Sequence, residues 1–184
     1  MRFLLGVVIA SVALFFWGFI FWTLSPYPQT VLKTLPNRDA MKQTLVDNIT
    51  EDGVYLVPGM GDPADPEFAK LQEAGPIATV IFRKSGAPPM SKVMLNGFLH
   101  MLGSVFLLAI VLATAGRRTY FGRFMLVFWI GLFVAVWAEM SDVVWFFYPI
   151  RYACLYQSYH VSSMIIVGAI LAYFIRPLAD PELD

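Results

Sequence analysis

The sequence predicts an all-α integral membrane bundle of four transmembrane helices. A small α+β extramembrane domain, expected on the periplasmic side, is inserted between helices 1 and 2. Three observations lead to this fold class. The 184 residues are 58% hydrophobic and only 14% charged, whereas soluble domains carry about 25% charge. Four apolar runs each approach or exceed the roughly 20 residues that a helix needs to cross a hydrocarbon core about 30 Å thick. Between the first and second runs the composition shifts to proline, glycine and charged residues, with two short strand signals.

Residues 1–24 are read as transmembrane helix 1. Phe3 to Leu24 carries no charge. A secretory leader is the rival reading, but it needs a short apolar region and a small-residue cleavage site. Here the run ends in Phe15, Phe16, Trp17, Gly18, Phe19, Ile20, Phe21 and Trp22, with no Ala-x-Ala behind it. A retained anchor is expected, with Trp17 and Trp22 near the outer interface.

Residues 25–92 form the inserted domain. Pro26, Pro28 and Pro36 predict an extended exit from the first helix. Residues 37–49 repeat Met41, Leu45 and Ile49 every fourth position, the spacing of an amphipathic helix. Asp52-Gly53 turns the chain into a strand at Val54 to Val57. A second helix follows at residues 66–73, ended by Ala74-Gly75-Pro76, and a second strand runs over 77–83. Two strands alone are marginal, so this αβαβ segment is expected to rest on the membrane domain or on a partner.

Residues 93–116 are read as transmembrane helix 2, with Asn96, Gly97, His100, Gly103 and Ser104 on one face, expected to pack against another helix. The loop 117–123 holds Arg117, Arg118 and Arg123. By the positive-inside rule it is cytoplasmic, which places both termini in the cytoplasm and the inserted domain outside.

Residues 124–147 and 148–176 are transmembrane helices 3 and 4, joined by a tight turn at Phe147 and Tyr148, with Pro149 opening the last helix. On helix 3, Gly131, Ala135, Ala138, Glu139 and Asp142 share a face. On helix 4, His160, Ser163, Val167 and Gly168 do so, and Gly168 with Ala172 makes a small-xxx-small pair suited to close helix approach. Tyr148, Tyr152, Tyr156 and Tyr159 at the outer end read as an aromatic belt, or as the lining of a ligand mouth. Arg151 is expected to meet Asp142 or Glu139, or to reach the headgroups. Residues 177–184 are a polar cytoplasmic tail.

At roughly 1.5 Å per residue, His100, Glu139 and His160 each lie about 25 Å above the arginine end of their helices, and Asp142 less than a turn beyond. Three helices thus place their ionisable groups at one depth. Two imidazoles with one or two carboxylates suit a transition metal, and paired histidines suit haem. His100, Glu139, Asp142 and His160 are therefore the candidate metal set. A proton relay or small-ligand pocket is a second use of the layer. A hydrogen-bonded cluster that only joins the helices is the third.

Formal net charge is zero, so nothing points to nucleic acid. The only cysteine, Cys154, excludes an intramolecular disulfide or a cysteine metal cluster, and reads as a small apolar residue. Gly59-Met60-Gly61-Asp62 is a turn rather than a phosphate loop, no nucleophile elbow occurs, and no internal repeat suggests a transporter. The expected function is an accessory or interaction subunit of a bacterial-type inner membrane. It would contact the lipid bilayer and bind other membrane subunits or copies of itself.

Overall fold

The computed structural model describes residues 1–62 and 64–176, so the expected tail at 177–184 lies outside the described residues. The chain divides into two compact units. The first combines residues 1–32 with the chain from Pro89 onward, and the second is Lys33–Pro88.

Four helices of the first unit are long and apolar enough to cross a membrane. Helix α1 (Arg2–Phe19) is prolonged by a π-helical turn over Ile20–Leu24, closed where Ser25 N–H donates to the Ile20 carbonyl at 2.9 Å. Helix α2 (Tyr27–Val31) is a single short turn of helix. This corrects the extended exit expected there: a proline early in a helix costs no hydrogen bond, and Pro28 sits in that first turn.

Helix α5 (Met90–Thr114) ends at Gly116, whose φ of +64° is the left-handed stop that glycine adopts without strain. Helix α6 (Tyr120–Trp145) is capped by Thr119, whose Oγ1 accepts from Gly122 N–H at 3.0 Å. Helix α7 (Ile150–Phe174) begins directly after Pro149. The α6–α7 turn passes through Phe147 at φ 59°, and the Asp142 carbonyl accepts from both Phe146 and Tyr148 N–H.

Helix α7 packs against α6 on one side and α1 on the other, and α1 in turn packs against α5; α5 and α6 touch only sparingly. Among the four spans α7 has the lowest mean hydropathy, 1.3 against 2.5 for the first. Its Tyr, Ser and His residues are tolerable because protein flanks it twice. One apolar core draws on all four helices: Val7, Ala10 and Leu14, then Val105, Ala109 and Leu112, then Val127, then Val167, Leu171 and Ile175.

The buried line of α6 is Arg123, Val127, Gly131, Ala135 and Glu139, a strict repeat of four. At Gly131, α6 leaves no room for a side chain against α7. A Cβ there would run into Met164 Cγ and lie 2.5 Å from Met164 Cβ. Gly168 meets Val127 and Phe124, and Ala135 and Ala172 are fully enclosed.

The second unit contains α3 (Arg38–Asn48), β1 (Gly53–Val57), α4 (Pro66–Ala74) and β2 (Ala78–Phe82). The strands are antiparallel, from Gly53 opposite Phe82 to Val57 opposite Ala78. Asn37 Oδ1 caps α3 through Ala40 N–H, and Asp65 Oδ1 caps α4 through Glu67 N–H. Asp52 Oδ1 accepts from Lys84 N–H at 2.7 Å, which joins the two strand ends. Neither helix buries a residue fully, and the cross-strand pair Val54 and Ile81 stays 66% and 79% exposed.

Candidate functional site

The titratable layer resolves into a pair. His160 Nε2 lies 3.1 Å from Glu139 Oε1, between facing positions of α7 and α6. The repeat of four that ends at Glu139 carries its carboxylate into the α6–α7 seam. Its side chain keeps 11% of its accessible surface, against 35% for His160. The carboxylate is the enclosed partner, and the imidazole is its route to the surroundings.

Aromatic rings flank this pair. Tyr156 and Tyr159 ring centres lie 6.4 and 5.8 Å from the imidazole. Tyr152 stands 4.8 Å from Tyr156, and Tyr148 5.5 Å from Tyr152. From α1 and its π-turn, Phe21 and Trp22 close on Tyr159, and Trp22 also meets Tyr156. Tyr148, Tyr152 and Tyr156 are thus a packed ladder within the first unit, and Tyr159 packs beside it on Phe21 and Trp22. Trp17 donates its Nε1–H to Ser162 Oγ at 3.1 Å. Ser163, one residue on, has a buried Oγ without a hydrogen-bond partner among the described residues.

The rest of the predicted metal set does not join the pair. Asp142 is half-buried and uses its backbone carbonyl to cap the turn. His100 is exposed on α5. Among the described residues no three His, Cys, Asp or Glu side chains come together as metal ligands. The expectation of one metal centre made by His100, Glu139, Asp142 and His160 is therefore corrected. Equal depth along a helix says nothing about azimuth, and α5 packs on α1 rather than on α6.

The face by which α5 packs within this chain is a different one. Val105, Ala109 and Leu112 pack against α1, not Gly97, Gly103 and Ser104. A Cβ on Gly97 or Gly103 would meet no atom within 4 Å. Ser104 is exposed, with its hydroxyl turned back to the His100 carbonyl at 2.9 Å. Among the described residues Asn96, His100, Gly103 and Ser104 are exposed, with Gly97 half-buried at the edge of their face.

The arginine loop also divides. Arg117 and Arg118 are exposed, but Arg123 is 8% exposed. Its guanidinium donates to the carbonyls of Ala172 (2.9 Å), Arg118 (2.7 Å) and Arg117 (3.3 Å), so it joins the start of α6 to the end of α7. The signal in the sequence was its position four residues after the cap Thr119, inside the helix rather than in the loop. Arg2 and Arg176 line one cavity beside Thr114, so the arginines that flank the spans gather at one end of the unit. Arg151, at the other end, is exposed and outside ion-pair distance of any acid among the described residues.

Comparison with protein-family models, with curated proteins and with solved structures gives no match. The chemistry of the chain therefore rests on its own residues.

Proposed function

We propose that this chain is a small accessory subunit of a larger assembly in a bacterial-type inner membrane, and that α5 carries its docking face for a partner helix. The exposed face of α5 carries this reading. Asn96 and His100 are hydrogen-bonding groups inside a segment that is apolar enough to span a bilayer. Such groups are disfavoured against acyl chains and turn to protein or water. Gly97, Gly103 and Ser104 beside them leave room for a backbone to approach, as small-residue interfaces between membrane helices do. A helix from another subunit, or from a second copy, meets both conditions.

The test is the size of the particle in mild detergent. Native mass spectrometry is expected to find the wild-type chain in a complex. Gly97→Leu and Gly103→Leu are expected to release it as a single chain with an unchanged melting temperature, because each new side chain enters open space in the free subunit. A strict monomer with no co-purifying partner overturns the proposal.

The orientation belongs to the same proposal. Gathering of Arg2, Arg117, Arg118 and Arg176 at one end supports cytoplasmic termini and an external second unit. Single cysteines introduced at Thr119 and at Asp62, in a Cys154→Ser background, are expected to label from opposite sides of sealed vesicles. Labelling from the same side contradicts it.

A second reading is favoured by the His160–Glu139 contact: a proton-exchanging or small-ligand site whose wall is the tyrosine ladder. It predicts that Glu139→Gln abolishes any pH-dependent behaviour of the assembly while leaving its composition intact. An unaltered pH profile would remove this reading and leave the pair a joint between two helices.

A further inference from the structure

The second unit holds a cavity of about 740 Å³ between α3 and the segments that open and close the unit. That is within the usual range for a bound small molecule, about 300–1,000 Å³. Its apolar lining includes Met41, Leu45 and Phe82. Its cationic lining is Lys33, Arg38, Lys42, Arg83 and Lys84.

The segregation of charge is the informative feature. Lys33–Pro88 contains six Lys and Arg residues and eight Asp and Glu residues. Five of the six cations line this cavity, and none of the eight acids does. Lys70 is the cation left out. A unit with an excess of acids has thus collected its positive charge around one apolar groove. Helix α3 shows how: Arg38, Met41, Lys42 and Leu45 fall on one face, and Asp39, Gln43 and Asp47 on another. Gln43 Nε2 donates to Asp47 Oδ1 on that acidic side. Lys84 bonds the Thr50 carbonyl at 3.3 Å, and Arg83 Nε bonds Ser85 Oγ at 3.2 Å; neither cation is neutralised by an acid among the described residues.

Five cations beside an apolar lining match an anionic amphiphile, and for a chain with four helices apolar enough to span a membrane a bilayer is the ready source. Lys33 directly follows the first unit, and Gly86 is only four residues before Met90, where α5 begins. Four residues reach at most about 14 Å, so the chain itself keeps Gly86 within that distance of the start of α5. We propose that this groove binds an anionic glycerophospholipid of the bilayer. The Lys and Arg side chains hold its phosphate, and Met41, Leu45 and Phe82 take the first part of an acyl chain. This inference is independent of the docking face on α5.

The experiment uses the full-length chain in phosphatidylcholine vesicles that contain a small share of photoactivatable phosphatidylglycerol, with adducts located by peptide mass spectrometry. Adducts are expected in the segments 33–46 and 82–86. Photoactivatable phosphatidylcholine should label them far less. Lys42→Gln combined with Arg83→Gln should lower phosphatidylglycerol labelling there roughly tenfold or more, since each basic side chain near an anionic surface contributes about a fivefold effect. Lys70→Gln should leave it unchanged. Equal labelling by the two lipids, or adducts confined to the Arg2, Arg117 and Arg176 end, would overturn the proposal. That comparison is made on the wild-type chain and stands even if the double variant misfolds. If a soluble polyglutamate peptide displaces the label and added phosphatidylglycerol does not, the occupant is an acidic protein segment and the lipid assignment fails.

Discussion

His160 and Glu139 sit 3.1 Å apart with unequal access to their surroundings, 35% against 11%. That asymmetry predicts unequal consequences. His160→Leu leaves an enclosed carboxyl group without its partner, a loss of about 1–3 kcal/mol. Glu139→Gln keeps a hydrogen-bonding group in place and should cost less. Melting temperatures in one detergent check the order, and a reversal would mean that the imidazole, not the carboxylate, depends on the contact. Gly131 gives the sharpest contrast among the glycines. Gly131→Ala places a methyl group against the rigid Cβ of Met164 and should destabilise by about 1–3 kcal/mol, the usual range for overpacking. Gly97→Ala, with nothing near, should be silent in the free subunit.

At the scale of elements, the α6–α7 hairpin is held at its two ends by different devices. At the turn, Phe147 accepts a left-handed backbone at φ 59° and keeps 63% of its surface exposed. Such a conformation costs a non-glycine residue about 1–2 kcal/mol, and Asn tolerates it better. Phe147→Asn should therefore preserve or raise the melting temperature. At the other end Arg123 makes three bonds to carbonyls. Arg123→Lys removes the planar fork that reaches them together and should loosen the end of α7, seen as faster amide exchange over residues 170–175. An unchanged exchange pattern would show that the guanidinium is replaceable by any cation.

At the scale of the whole molecule, the two units differ in how they hold together. The long helices of the first share one core, with Ala109, Leu112, Val127 and Leu171 fully enclosed. The second relies on a two-stranded sheet and two helices that bury no residue fully. Stability is distributed unevenly in such a chain, and the open unit exchanges and unfolds locally first. Limited proteolysis of the detergent-solubilised protein should therefore cut within 33–88 before any long helix. Anionic lipid should slow those cuts if the groove binds it.

Much was legible in the chain itself. The four long apolar helices and the αβαβ order of the insert followed from apolar run length and turn residues. These are local properties, and periodicity along one helix is enough to expose them. The azimuth of each helix was decided only in three dimensions. Depth put His100 level with Glu139 and His160, but α5 turned Val105 and Ala109 inward to α1, and the histidine faced away. The same holds for Arg123, a loop charge by position and a buried joint by contact. It holds too for the five cations of Lys33–Pro88, scattered along the sequence and gathered around one groove. Run length is written in consecutive residues, whereas the facing of one helix toward another depends on which pairs of surfaces bury the most apolar area together, and that sum is taken over the whole fold.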